Sequence, residues 1–356
     1  MIDFLIIGGG IAGVSAAARL SALGSVTVLE REDAMAYHAS GRSAALYEAH
    51  YGNPSTVALN VVGLDFHRNA DVLSPRGLML VGNAAEADLF DADVQAMQMQ
   101  PITMDQALAL IPVLNTDHVD RAAYDPDAWD IDTDKLIQTF AKQARGNEAQ
   151  IVTKAEVTAI TRSATGWTVS TSAGDYEARH LVNAAGAWVD VIASMAGVTP
   201  LGFQPLRRSM ARIPAPDGHD LRAWPMVFGA GEGWYAKPDA GALIVSPAEE
   251  DPADPHDAYA DDMVLAEGLA RYAENVTTPV TRVLASWAGL RTFAPDRNLV
   301  LGPDPVHPGF IWCAGQGGYG MQSSPGASQL LADLISGAQP AIAADMVAAL
   351  TPDRFR

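Results

Sequence analysis

Three glycines close to the amino terminus have the spacing of a pyrophosphate cradle. Gly8, Gly10 and Gly13 form a GxGxxG run that also contains Ile11 and Ala12. Gly8 permits a tight strand-to-helix turn, Gly10 has no Cβ to hold a phosphate off the backbone, and Gly13 lets the following helix lie close to the sheet. The free amides and positive dipole end of that helix then face the phosphates. Glu30 ends the next apolar run, where a carboxylate can accept hydrogen bonds from a ribose 2′-hydroxyl. A glycine turn in an ordinary βαβ unit would carry the same run. The strand before it, the helix and strand after it and the acid at the end together favour a dinucleotide.

Three later stretches could meet the same ligand. Residues 37–45 form a polar, small-residue loop with Ser40, Gly41, Arg42 and Ser43, read as leading into a helix capped at Ser40 or Ser43. Its amides and hydroxyls could contact phosphate or an isoalloxazine ring. Residues 180–188 run from a buried strand into a small-residue turn. Residues 315–324 form a second glycine-rich βα turn, which suggests that both ends of one long ligand are held.

These residues need elements to position them. Residues 3–7 read as a strand buried on both faces, followed by a helix over 14–23 and a strand over 25–29. Further helices are expected over 53–69, 84–96, 104–111, 133–144 (capped by Asp132 or Thr133), 262–273 and 325–335. Strands are expected over 77–82, 151–161, 166–171, 174–179, 209–213, 226–228, 234–237, 242–245, 280–289, 299–303 and 310–314. The acids around residues 125–134 read as surface charges and caps, without the spacing of a metal site. The pattern is α/β (α+β mixed): a Rossmann-type nucleotide-binding domain from residues 1–75, 145–200 and 290–356, with a sheet-based substrate domain, 76–144 and 201–289, inserted in it.

Composition excludes several classes. The 356-residue chain has a single cysteine, Cys313, which rules out an internal disulfide framework and fits a reducing compartment. A formal charge of −19 argues against nucleic acid and anionic membranes as partners. No apolar run reaches the ~18 residues of a membrane span. A strand beginning at Asp3 leaves no room for a signal peptide, so a cytoplasmic protein is expected.

Taken together, Gly8–Gly13 with Glu30, Tyr37–Ser43, Asn183–Trp188 and Gly315–Gly320 resemble the D-amino-acid oxidase superfamily of FAD-dependent amine oxidoreductases. Within it the chain is most similar to bacterial D-arginine dehydrogenases, through residues 51–54, 73–76, 130–134, 207–209, 235–241 and 287–291. The resemblance runs over nearly the whole chain. It implies noncovalent FAD in the Rossmann-type domain, with the adenosine along Gly8, Gly10, Ile11, Ala12, Gly13, Glu30 and Arg31. The flavin is then expected between Ser40, Gly41, Arg42, Ser43, Ala44 and Ala45 on one side and Gly317, Gly318, Tyr319, Gly320, Met321, Gln322 and Ser323 on the other. Val157, Ala185, Gly186, Trp188 and Gly289 complete the implied cofactor site.

The resemblance also implies a substrate carboxylate held by Arg208 and Arg291, helped by the hydroxyls of Tyr51 and Tyr235, with the Gly318 backbone and the Gln322 side chain beside the amine and the flavin. That fits the bare chemistry. Oxidising a free amino acid needs its Cα–H held in one orientation, and an arginine fork fixes a carboxylate in a plane better than lysine can. The electron acceptor (a quinone, a dye or O2) is left open; Lys237 is the lysine nearest a site residue in sequence, and a dehydrogenase is favoured over an oxidase.

The pattern departs from the D-arginine enzymes at two positions. They carry an acid where this chain has Leu78 and a histidine where it has Leu46. A guanidinium left against leucine loses its partner at a cost of a few kcal/mol. The expected substrate is therefore a D-amino acid with a neutral or apolar side chain, oxidised to an imino acid that water hydrolyses to the 2-oxo acid. A secondary amine, such as an N-alkyl glycine or a cyclic imino acid, fits the same clamp. Glu48 could restore an acid for a basic side chain; a solvated carboxylate on a helix face is its simpler reading.

Overall fold

A computed structural model describes residues 1–356. Its strands form two large sheets and one small one. In the first, Ile2–Ile7 lies parallel to Val26–Leu29 on one side and to Gly174–Asn183 on the other. Leu5, Ile6, Val28 and Leu181 are fully buried, as strands covered on both faces require. Gly174–Asn183 is one ten-residue strand where the sequence suggests two separate segments. It pairs antiparallel with Trp167–Thr171 over its first half and parallel with Phe310–Ala314 at its end. By changing neighbour without breaking it delivers Asn183 to the side of Ile7 and the small-residue turn to the side of Gly8.

Helix Ile11–Leu20 packs against Thr133–Gly146 and Gly320–Ser336. The first of these partners starts where Asp132 accepts from the Lys135 backbone N–H at 2.9 Å, the cap expected. It lies at the end of the stretch expected in the substrate domain and packs on the nucleotide-binding layer. Gly320–Ser336 begins five residues before the expected start and carries Pro325 inside it. Proline leaves the Met321 carbonyl without its helical donor, and Ser324 Oγ donates to that carbonyl at 2.9 Å. The same helix crosses Pro54–Asn69 at Gly326, where a Cβ would stand 2.3 Å from the Leu59 carbonyl oxygen.

The second sheet takes Gln100–Ile102, Arg121–Asp125 and Leu78–Gly82 from one part of the chain, and Met226–Gly229, Tyr235–Asp239, Ala242–Ser246, Gln204–Pro214 and Asp251–Pro252 from another. Ala285–Phe293 pairs along Gln204–Pro214 and so runs across the boundary expected between residues 289 and 290. It begins and ends later than the strand expected over 280–289. In that register Arg208 faces Gly289. Side chains two apart share a face, so Arg208 and Arg291 project from the same side as a diagonal pair. The small sheet joins Leu46–Tyr47, Trp129–Ile131 and Leu73–Pro75. No helix is long and apolar enough to cross a membrane.

Candidate active site

The diagonal arginines form one wall of a cavity. Arg208 is 4% exposed, donates from Nη2 to Glu250 Oε1 at 3.3 Å, and keeps a buried Nε with no partner. Arg291 Nη1 lies 2.9 Å from where a Cβ on Gly318 would stand, so glycine there leaves the guanidinium its present position; no protein acceptor pairs with it. Burial and then the neighbouring Arg291 charge lower the pKa of Arg208. Burial also acts to lower that of Arg291, but Tyr235, Tyr51, Glu232 and Glu250 more than offset it. Tyr235 Oη is buried without a partner, and Tyr51 Oη donates to Glu232 Oε2 at 3.1 Å. Unpaired donors converging on one space make an anion site.

The same cavity is lined by Tyr51, Arg208, Tyr235, Arg291, Gly318, Gln322, Leu46, Glu48 and Leu78, and by Ser43, Ala44 and Ala45. Two expectations about these residues change. Glu48 is not a solvated helix-face carboxylate: it is 2% exposed and follows the short strand Leu46–Tyr47. Residues 43–45 do not enter a helix but run directly to that strand. The hydroxyl expected to cap it is used elsewhere, since Ser40 Oγ accepts from the Ile11 N–H at 3.0 Å. Gln322 has its carboxamide committed at both ends, accepting from the Glu48 N–H and donating to the Tyr51 carbonyl, each at 3.1 Å. It holds residues 48–51 in place.

Residues 44–45 are held by a buried ion-pair chain. Lys237 Nζ donates to the Ala44 and Ala45 carbonyls at 3.0 and 2.7 Å and pairs with Asp130 Oδ1 at 2.8 Å. Asp130 Oδ2 also accepts from Arg76 Nε at 2.7 Å. Asp130 is thus an internal counter-charge, not the surface acid expected. Its role depends on the pairing of Leu46–Tyr47 with Trp129–Ile131, which no local pattern reveals.

Two further cavities continue from the arginine cavity in series. One, beside Glu30, is lined by Gly8, Gly10, Glu30, Arg31, Ser40, Arg42, Val157, Ala185, Gly186, Trp188 and Gly289. The other is lined by Ile11, Ala12, Ser43, Gly317, Gly318, Gly320 and Met321, and shares Gly10, Ser40, Arg42, Gly186 and Gly289 with the first and Ser43, Arg208, Arg291 and Gly318 with the arginine cavity. The backbone bordering this groove is bare where a dinucleotide would need it. A Cβ on Gly186 would meet nothing within 4 Å, and one on Gly10 only Ser40 Oγ at 3.2 Å. Glu30 accepts from the Gly9 and Glu32 N–H groups at 2.7 and 2.9 Å, one on each oxygen, and retains lone pairs for a hydroxyl. These residues fit an extended dinucleotide.

Four expected cofactor residues stand outside these walls. Gly13 and Gly41 are packing positions, where a Cβ would stand 1.9 Å from the Gly8 oxygen and 2.3 Å from the Ala36 oxygen. Tyr319 packs its ring on Tyr51 with centroids 5.2 Å apart, and Ser323 Oγ donates to the Tyr319 carbonyl at 2.8 Å. Arg42 lines the groove while its guanidinium donates to the Ala258 and Ala288 carbonyls at 2.8 and 3.0 Å, tying the loop to the second sheet. Sequence reasoning missed Met97, Met226, Phe228, Glu232 and Trp234, which line the arginine cavity. Only Glu232 left a trace: it lies between Gly231 and Gly233 and takes a left-handed φ of 55°.

A family model described as "DAO: FAD dependent oxidoreductase" matches residues 3–334. Bovine (Bos taurus) FAD-dependent oxidoreductase domain-containing protein 1 is 25% identical over 94% of this chain and 81% of its own length. Glycine oxidase from Geobacillus kaustophilus superposes with a TM-score of 0.81 at 23% identity, over 97% of each chain. The FAD-bound, dithionite-reduced L-alpha-glycerophosphate oxidase of Mycoplasma pneumoniae superposes with a TM-score of 0.84 at 22% identity, over 94% of each chain.

Proposed function

The chain belongs to the FAD dependent oxidoreductase (DAO) family, and on that premise we propose that it oxidises an α-amino acid with a neutral, largely apolar side chain to the imino acid, which water hydrolyses to the 2-oxo acid and ammonia. The observation that carries this reading is the pair of arginines on one sheet face, half-buried Arg291 with no protein partner and buried Arg208 with a free Nε, beside the unpartnered Tyr235 hydroxyl. An α-carboxylate supplies the charge and the acceptors that this wall lacks. The D configuration rests on the resemblance of the motif set to D-amino-acid enzymes. The neutral side chain rests on Leu46, Leu78, Met97, Met226 and Phe228, which line the same cavity.

In this reading Arg208 and Arg291 fix the carboxylate in a plane, Tyr235 adds a free hydroxyl beside it, and Tyr51, its hydroxyl donating to Glu232, borders the same space. That leaves one rotation of the substrate, which the apolar wall restricts, so the Cα–H is presented in one direction. Bound FAD supplies the two-electron acceptor. Gly10, Gly186 and Glu30 would hold it noncovalently along the groove. Lys237 has its ammonium committed to Ala44, Ala45 and Asp130, so it offers no free cation for activating oxygen; this supports a dehydrogenase using a quinone- or dye-like acceptor.

The test is an anaerobic screen of D-, L- and N-substituted amino acids, with carboxylate-free amines and alcohols beside them, for bleaching of the flavin band. A neutral D-amino acid is expected to bleach it fastest. Bleaching by N-alkyl glycines or cyclic imino acids alone would replace the substrate class and keep the clamp. Bleaching only by substrates without a carboxylate would overturn the reading.

A further inference from the structure

Two carboxyl groups line the arginine cavity without a part in the carboxylate reading: Glu232, which accepts from Tyr51, and Glu48, which has an oxygen to spare. Glu48 Oε1 accepts from the His50 N–H at 2.9 Å and lies 3.4 Å from His50 Nδ1, while Oε2 is buried with no partner. The side chain lines the cavity with Leu46 and Leu78. Gln322 holds its backbone N–H, so the segment is not free to turn the carboxyl away. The charges acting most on Glu48 are those of His50 and of Asp125, the residue that pairs with Leu78 across the sheet. Those acting most on both arginines include Tyr51, Tyr235 and Glu250. Glu48 makes no hydrogen bond or ion pair with Arg208 or Arg291, and its carboxyl is held at His50, outside the clamp.

A buried carboxyl facing hydrocarbon is stable either protonated or ionised against a cation. We infer that Glu48 is a titratable specificity residue at the distal end of the pocket: protonated, it admits a neutral side chain, and ionised, it admits one ending in an ammonium or guanidinium group. The inference rests on the reading that Arg208 and Arg291 hold the carboxylate, because that decides which end of the ligand reaches Glu48. Burial pushes the Glu48 carboxyl up to about 7, so both forms are present near neutrality. The other titratable groups around it are Tyr47, His50 and Tyr51 on its own segment, His67 behind Tyr47, Asp125 beyond Leu78, and Arg208, Arg291, Tyr235 and Glu232 across the cavity. Burial moves Tyr47 and Tyr51 upward and His67 downward, away from neutrality. Histidine being the side chain that changes charge near neutral pH, His50 is the neighbour to control for.

Calorimetric titration of the holoenzyme with pentanoate and with 5-aminopentanoate tests this without turnover. The terminal ammonium stays charged between about pH 6 and about pH 9. The ratio of the two dissociation constants should shift toward the ammonium ligand by roughly tenfold or more over that range as Glu48 ionises. Glu48→Gln should leave the ratio flat, and His50→Gln should move the transition upward and keep it. A flat ratio in the unmodified protein with both ligands bound overturns the inference and leaves the clamp standing. So does a transition that survives in Glu48→Gln and vanishes in His50→Gln. Failure of 5-aminopentanoate alone to bind at every pH overturns the selector and leaves the clamp standing; failure of both ligands overturns the clamp and the selector together.

Discussion

Two guanidinium groups share one buried wall because Arg291 lies two residues from Gly289, which faces Arg208 across the strand pair. Their value lies in geometry more than in charge. Arg208→Lys and Arg291→Lys keep the charge and lose the fork. A charge-assisted hydrogen bond is worth ~1.5–3 kcal/mol, so each variant should lower kcat/KM on the best substrate by about one to two orders of magnitude. The flavin content of the purified variants should stay at the wild-type level. Wild-type kcat/KM in either variant would remove that arginine from the clamp. Glu48 gives a second prediction at this scale. Its folded pKa of about 7 lies above the 4.5 of an ordinary glutamate. The folded protein therefore binds the extra proton between those values, and the stabilisation is present below the lower one and lost as pH rises through the upper one. Glu48→Gln removes this dependence. Relative to wild type it should gain up to ~3 kcal/mol at high pH and little near about pH 5, read from urea unfolding at both.

At the scale of elements, the loop bearing Ala44 and Ala45 has no helix of its own and is held by Lys237, which pairs with Asp130, itself held by Arg76. Removing the charge at Asp130 leaves buried Lys237 and half-buried Arg76 without their counter-charge. Asp130→Asn should destabilise the protein by ~3–5 kcal/mol, the range for breaking a buried pair, and flavin retention on dialysis should fall with it. Asp71 pairs with Lys135 at the surface at 2.7 Å, its side chain 89% exposed. Asp71→Asn should change stability by less than about 1 kcal/mol. Equal effects of the two substitutions would mean that the Asp130 chain does not hold the loop. The helix crossing makes a parallel case: Gly326→Ala places a Cβ 2.3 Å from the Leu59 oxygen. Overpacking of this kind costs typically ~1–3 kcal/mol, which thermal unfolding would report.

For the whole molecule, the groove from Glu30 to Tyr235 runs between the two large sheets, and both contribute to its walls. A ligand spanning it should couple their stabilities. FAD should copurify, raise Tm by several degrees over the apoprotein, and pass to the supernatant on acid precipitation. Yellow colour staying in the pellet would contradict noncovalent binding. The similar folds of a glycine oxidase and a glycerophosphate oxidase show that one scaffold carries different substrates. Specificity has to be sought in the few side chains that line the arginine cavity.

The amino-acid sequence by itself determined the dinucleotide cradle, because Gly8, Gly10, Gly13 and Glu30 act through local backbone geometry and need only the strand and helix beside them. It also showed most strands and helices as periodic apolar runs, and it supplied, through family resemblance, the residues that the fold gathers in one cavity. Tertiary structure decided the rest, for identifiable physical reasons. Pro325 reads as a helix start, but packing against Pro54–Asn69 and the Ser324 hydroxyl carry the helix through it. Asp130 and Glu48 read as solvated acids, since charge alone says nothing about burial. Only the pairing of distant strands shows that one neutralises Lys237 and the other faces the pocket with an oxygen unpaired. A carboxylate's role depends on what stands opposite it, and that is set by contacts between residues far apart in the chain.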